Sequence, residues 1–182
     1  KNVPEVEDIR RMAELLENLG VEVRHPEKGQ YVVTAKKINT HVINSEIAKK
    51  LRASIILAAP LLVRLGKVTF PHPGGCVIGE RPIDVFIDGF EALGANVDYG
   101  GNLYTVSAKK LKGAKFVFPN ISVTGTEALM MASCFAEGKT VLKNCACEPE
   151  VVSLANFLNS CGARIEGAGT PYINIEGIKN LN

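Results

Sequence analysis

The apolar positions of this chain fall into a pattern that recurs. From Asp8 to Leu19, residues Ile9, Met12, Leu15, Leu16 and Leu19 keep three- and four-residue spacing. That predicts a helix with one apolar face, ended by Gly20. Val21-Glu22-Val23, a turn at Glu27-Lys28-Gly29 and Tyr31-Val32-Val33 then read as a short hairpin. The same signals return with Ile83, Phe86, Ile87, Phe90 and Leu93 ending at Gly94, followed by Ala95-Asn96-Val97, a Gly100-Gly101 turn and Tyr104-Thr105-Val106. A third copy runs through Val151, Val152, Ala155, Leu158 and Cys161 to Gly162, then Ala163-Arg164-Ile165 and Tyr172-Ile173-Asn174-Ile175.

A second kind of helix lies between the copies. Ile55 to Leu65 and Ala128 to Ala136 are apolar almost all round, and each leads through Gly-Lys into a strand, Val68-Thr69-Phe70 or Thr140-Val141-Leu142. A helix with no polar face is expected to be enclosed by protein. The unit therefore reads βαβαββ, and stacking such units places the apolar helices centrally with small sheets outside. The expected fold class is α/β (α+β), one domain over residues 1–182; three similar helix-hairpin pieces in an ordinary α+β domain are the alternative. Lys1-Asn2 aligns with Lys143-Asn144 of the third copy, which predicts a first unit lacking its leading strand and buried helix, and a chain that is part of a longer one.

Between Phe70 and the second amphipathic helix lies Pro73-Gly74-Gly75-Cys76-Val77-Ile78-Gly79-Glu80-Arg81-Pro82-Ile83-Asp84, too rich in glycine and proline for regular structure. It sets a thiol and a guanidinium on one loop. Cys76 reads either as a buried structural thiol or as a reactive one, since a nearby cation favours the thiolate. Ser122-Val123-Thr124-Gly125-Thr126, at the start of the second apolar helix, reads as a plain N-cap or as an anion site built on a helix N-terminus. Arg52, at the start of the other, reads as a solvated end residue or as a clamp for phosphate or carboxylate. Asp84 is at least a first-turn acid that suits the helix dipole.

Composition narrows the field. The net charge of +2 comes from 21 basic and 19 acidic residues that are interspersed, so no basic stripe for nucleic acid appears. No apolar run approaches a membrane span. Five cysteines at irregular spacing suit a reducing compartment, with cytoplasm as the expectation. His25, His41 and His72 are scattered, and Cys145-Ala146-Cys147 lacks zinc-site spacing, so neither a metal nor a cofactor is expected. Lys36-Lys37, Lys49-Lys50 and Lys109-Lys110 read as solvated turns and faces.

The loop pattern Pro73-Gly74-Gly75-Cys76-x-Ile78-Gly79-x-Arg81-Pro82-x-Asp84, together with Leu51-Arg52-Ala53-Ser54, Ser122-Val123, Ala136-Glu137-Gly138, Glu148-Pro149-Glu150 and Ala155-Asn156-Phe157-Leu158, resembles the UDP-N-acetylglucosamine enolpyruvyl transferase family along the whole chain. The resemblance implies two inside-out α/β domains of βαβαββ units, of which this chain would be most of the loop-bearing one. It implies that Cys76 protonates the methylene carbon of phosphoenolpyruvate and is the thiol that fosfomycin alkylates. Arg52 and Arg81 would hold anionic ligands, with Arg81 on the diphosphate. Pro82, Ile83, Asp84 and Val85 would line a uridine pocket, Ser122 and Val123 would present a helix N-terminus to the diphosphate, and Asn120 and Ile121 would be among the substrate-binding residues. The implied partners are UDP-N-acetylglucosamine, phosphoenolpyruvate and a second domain. The chain departs from the family pattern at Asn120 (commonly Lys), Phe86 (His), Cys147 (Arg) and Thr124-Gly125 (Gly-Ala). The alternatives are a relative acting on shikimate 3-phosphate, which lacks the Pro-Gly-Gly-Cys loop, and a binding module without catalysis.

Overall fold

The computed structural model of the chain describes residues 1–74 and 82–181. The third copy of the repeat is complete: β6 (Lys115–Val117), α5 (Val123–Ser133), β7 (Lys139–Lys143), α6 (Pro149–Ser160), β8 (Arg164–Glu166) and β9 (Tyr172–Glu176). Its sheet has the order β6-β7-β9-β8, with β6 parallel to β7 and the other pairs antiparallel. A parallel pair needs a crossover connection, and α5 is that crossover. In the second copy the leading strand shrinks to a parallel bridge between Val42 and Thr69. A 3₁₀ segment (Arg52–Leu57) then runs into α3 (Ala58–Leu65), β3 (Lys67–Pro71), α4 (Asp84–Ala92), β4 (Asn96–Gly100) and β5 (Leu103–Ser107). The sheet order β3-β5-β4 repeats that of β7-β9-β8. The first copy supplies α1 (Glu7–Asn18) and the antiparallel hairpin β1 (Glu22–Arg24) with β2 (Val32–Thr34), joined onward by the short α2 (Ser45–Ala48).

Backbone angles mark the equivalence of the copies. Gly20, Gly94 and Gly162, which follow the three amphipathic helices, have φ of 92°, 86° and 98°, left-handed values that cost glycine least. Asn2 and Asn144, paired by the sequence alignment of the copies, sit at φ 59° and 57°.

The central helices behave as the absent polar face requires, with two differences. In α5, Gly125, Thr126, Ala128, Leu129, Met130, Ala132 and Ser133 are buried, and α3 buries Ala58, Ala59, Leu61 and Leu62. The first difference is that residues 52–57 are 3₁₀ rather than α. Pro60 has no N–H to offer Ile56 and crowds its carbonyl, so the turn ahead of it tightens. The second is that enclosure is incomplete. Ala53, Ile56, Pro60 and Val63 on one helix, and Thr124, Glu127, Met131 and Phe135 on the other, form half-buried stripes at helical spacing. Among the described residues no helix is long and apolar enough to cross a membrane.

Connectivity puts the helix starts at one end. Each helix leaves the carboxyl end of a strand and returns past it, so α4 starts where β3 ends and α5 where β6 ends. The two copies are aligned because α4 and α5 pack side by side in parallel. A Cβ on Gly89 would lie 2.3 Å from Leu129 Cδ1, and one on Gly125 would lie 3.3 Å from Val85 Cγ1.

Candidate functional site at the helix entrances

Three helix entrances converge at this end. At α5, Ser122 is extended (φ −139°, ψ 115°) and its Oγ accepts the Gly125 N–H at 3.1 Å. Its carbonyl takes the Thr126 N–H at 2.9 Å. The N–H groups of Val123 and Thr124 then have no acceptor within the helix, which is the usual condition of a first turn and the basis of anion binding there. The chain leading in is fixed by buried Phe118, whose N–H donates to the Lys143 carbonyl (2.9 Å) and whose carbonyl accepts from Asn144 Nδ2 (2.8 Å). Asn120 and Ile121 are consequently held out in solvent, Ile121 at 63% exposure, with Ser122 and Val123 half-buried beneath them.

At α4 the cap is Ile83, whose carbonyl accepts from the Phe86 N–H at 2.9 Å. The Ile83 side chain is buried (3% exposed), so only its backbone faces the mouth. Asp84 follows, exposed in the first turn, where the helix dipole favours its negative charge. Val85 is half-buried against the start of α5, where it closes the space beside Gly125. At the third entrance Arg52 begins the 3₁₀ segment, and its Nη2 donates to the Pro82 carbonyl at 3.0 Å. That bond joins the start of α4 to the start of the segment preceding α3.

Cys76 and Arg81 lie outside the described residues. The residues on either side of that segment are both fixed at this same end. Pro82 is held by Arg52, and the Gly74 N–H donates to the Ala48 carbonyl at 3.2 Å. A Cβ on Gly74 would come within 1.6 Å of the Lys49 carbonyl oxygen, so no other residue fits this backbone path. The structure thus brings Arg52, Pro82, Asp84, Val85, Ser122 and Val123 around one mouth, with Asn120 and Ile121 on its rim.

Several groups here carry no sequence signal. Thr126 Oγ1, fully buried, accepts the Ala146 N–H at 3.1 Å and ties the approach to α6 onto α5. Glu127, one turn inside α5, has its carboxyl raised above the usual range, first by burial and then by the charge of Glu150 in the first turn of α6. Burial pushes the Cys134 and Cys145 thiols up to about 11, which leaves both protonated and inert near neutrality. Cys147 is exposed. It lies beyond the buried Cys145-Ala146 pair, where the chain turns outward to cap α6.

This architecture is that of solved enolpyruvyl transferases. The enolpyruvyl transferase NikO from Streptomyces tendae superposes with a TM-score of 0.81 at 16% identity, covering 97% of this chain and 42% of that one. An EPSP synthase from Acinetobacter baumannii gives 0.73 at 18% identity, covering 98% and 41%. At such identities the likeness concerns the fold alone. The chain belongs to the EPSP synthase (3-phosphoshikimate 1-carboxyvinyltransferase) family, whose model matches residues 1–182. Among curated relatives, UDP-N-acetylglucosamine 1-carboxyvinyltransferases of Coxiella burnetii and Desulfosudis oleivorans are each 46% identical over all 182 residues. The chain spans 42% and 43% of their lengths.

Proposed function

We propose that this chain is most of the loop-bearing domain of a UDP-N-acetylglucosamine enolpyruvyl transferase, an enzyme of peptidoglycan precursor synthesis working in the cytoplasm. The observation that carries this reading is the meeting of three helix entrances at the point where the Gly74 and Pro82 ends of the Cys76 loop are held. Positive helix ends and the Arg52 guanidinium in one mouth suit a ligand with several phosphate charges. A nucleotide sugar and phosphoenolpyruvate are both such ligands.

In the proposed reaction the sugar 3′-hydroxyl oxygen bonds to C2 of phosphoenolpyruvate while C3 gains a proton, for which Cys76 is the donor. Loss of a C3 proton then restores the double bond as the C2–O bond to phosphate breaks, releasing phosphate. Ser122 and the first turn of α5, with Arg81, hold the diphosphate. Asn120 and Ile121 form its outer rim, and Arg52 steadies the loop's far end through Pro82. Pro82, the Ile83 backbone, Asp84 and Val85 face the uridine.

We further propose that residues outside this sequence cover the half-buried stripes of α3 and α5 with a third apolar helix, and that a second domain supplies the base for the sugar hydroxyl. On that reading the 182-residue chain binds nucleotide sugar without turning it over. Measurable phosphate release from both substrates by this chain alone would contradict it. The reading is preferred to shikimate 3-phosphate because the relatives named for the UDP-sugar are 46% identical, against 18% for the EPSP synthase structure. Thermal melts separate the two, since a ligand bound only by the folded state raises the midpoint. UDP-N-acetylglucosamine is expected to raise it and shikimate 3-phosphate to leave it unchanged; the opposite result would reverse the assignment.

A further inference from the structure

We infer that Asn144 is a positioning residue for the anionic ligand: with the two residues after it, it brackets the Ser122 cap and holds the first turn of α5 in the shape that receives phosphate. This rests on the reading just given and adds to it a residue on a different element, just past the end of β7. The register of the parallel pair shows what Asn144 does. Val117 pairs with Lys143, so the next residues in line are Phe118 and Asn144. In a parallel ladder the N–H and C=O of one residue bond to the residues on either side of its partner. The Phe118 N–H does so, donating to the Lys143 carbonyl at 2.9 Å. The Phe118 carbonyl would then accept the Cys145 N–H, but that group turns away to the Pro171 carbonyl at 3.2 Å. Asn144 Nδ2 takes its place and donates to the Phe118 carbonyl at 2.8 Å.

The substitution of a side-chain amide for a backbone N–H depends on the left-handed backbone of Asn144 (φ 57°). That angle carries the main chain out of the ladder while the amide stays in it. Asparagine accepts it more readily than most residues with a side chain, and glycine, which accepts it at least cost, has no amide to offer. The same turn occurs in the first copy, where Asn2 has φ 59° and the Val3 N–H donates to the Gly29 carbonyl at 2.9 Å. One residue beyond Cys145, the Ala146 N–H donates to Thr126 Oγ1 at 3.1 Å, among buried neighbours. Residues 144–146 therefore hold the chain at Phe118, before the Ser122 cap, and at Thr126, after it. Pro119, Asn120 and Ile121 between Phe118 and Ser122 are all exposed, so packing gives this approach little support and the Asn144 bond supplies it. A tie made before the ligand arrives removes an ordering cost that binding would otherwise meet.

Titration with inorganic pyrophosphate and with UDP-N-acetylglucosamine, well below the melting midpoint of every variant, tests this. Asn144→Gly keeps the left-handed angle and loses only the amide. It is expected to weaken both ligands by about fivefold, the size of one lost hydrogen bond. Asn159→Ala is the control. Asn159 grips the Ile165 carbonyl and N–H, each at 2.9 Å, from the last turn of α6, away from the helix entrances. Its loss is expected to lower the melting midpoint and to leave both affinities unchanged. In amide NMR spectra of the free proteins, the Val123 and Thr124 signals are expected to move in Asn144→Gly and to stay in Asn159→Ala. Parent-like affinity in Asn144→Gly would overturn the positioning role and leave the functional reading intact. An equal loss of affinity in Asn159→Ala would also overturn it, by showing that binding follows overall stability. Absence of binding of either ligand by the parent chain would remove the functional reading and the positioning role with it.

Discussion

At the entrance of α5, one hydroxyl closes the helix and shapes the ligand-facing turn, because Ser122 Oγ holds the Gly125 N–H at 3.1 Å. Replacing Ser122 with Ala should cost about 1 kcal/mol of unfolding free energy in urea melts, and should weaken nucleotide binding as well. A loss of binding with no loss of stability would mean that the cap is not made in solution. Glu127 makes a separate prediction from its raised carboxyl. The folded state holds the proton more tightly than the unfolded state does. Stability from this group is therefore greatest at low pH and is lost as pH rises from the unfolded value through the folded one. Glu127→Gln should raise the melting midpoint near pH 7, and the advantage should shrink towards pH 4. An advantage that grows on acidification would show that Glu127 is held as a carboxylate instead.

At the scale of elements, the mouth depends on how closely α4 lies against α5. Gly89→Ala would place a methyl 2.3 Å from Leu129 Cδ1, in a fully buried site, and overpacking of this kind typically costs about 1–3 kcal/mol. It should also weaken nucleotide binding, because separating the helices parts Val85 from Gly125. At Gly94 a Cβ meets nothing within 4 Å, so Gly94→Ala pays only for its φ of 86° and should leave binding as it was. Equal binding loss in the two variants would uncouple the helix contact from the site. The three amphipathic helices and their hairpins were legible because one buried face and one wet face write a period into the chain, as in α1 with Leu15 in and Glu7 out. The turn from 3₁₀ to α at Ala58 was not, since apolar residues fill both forms equally and only Pro60 hinted at it. Nor was the Arg52–Pro82 bond, made across thirty positions by a backbone carbonyl that any residue would have supplied.

The molecule is one complete βαβαββ unit, a second whose leading strand is a single bridge, and the helix-hairpin part of another, with the described helices of the second and third copies starting at the same end. The repeat was readable because its glycines must adopt left-handed angles at each return, as Gly20, Gly94 and Gly162 do. Gly74 and Pro82, on either side of residues 75–81, are both pinned at the end where the helices start, a placement the loop motif alone does not specify. The Phe70–Tyr104–Tyr99 ring stack went unread, because an aromatic in a hairpin looks the same in sequence whether it is buried or exposed. The central claim is that helix entrances and guanidinium groups together hold a nucleotide diphosphate. Calorimetric titration with UDP-N-acetylglucosamine, run beside Arg81→Ala, tests it most directly. The account predicts saturable binding by the parent chain and a loss of about 1.5–3 kcal/mol in the variant, the range for charge-assisted hydrogen bonds. A titration without heat at several temperatures, or equal affinity in the two proteins, would contradict it.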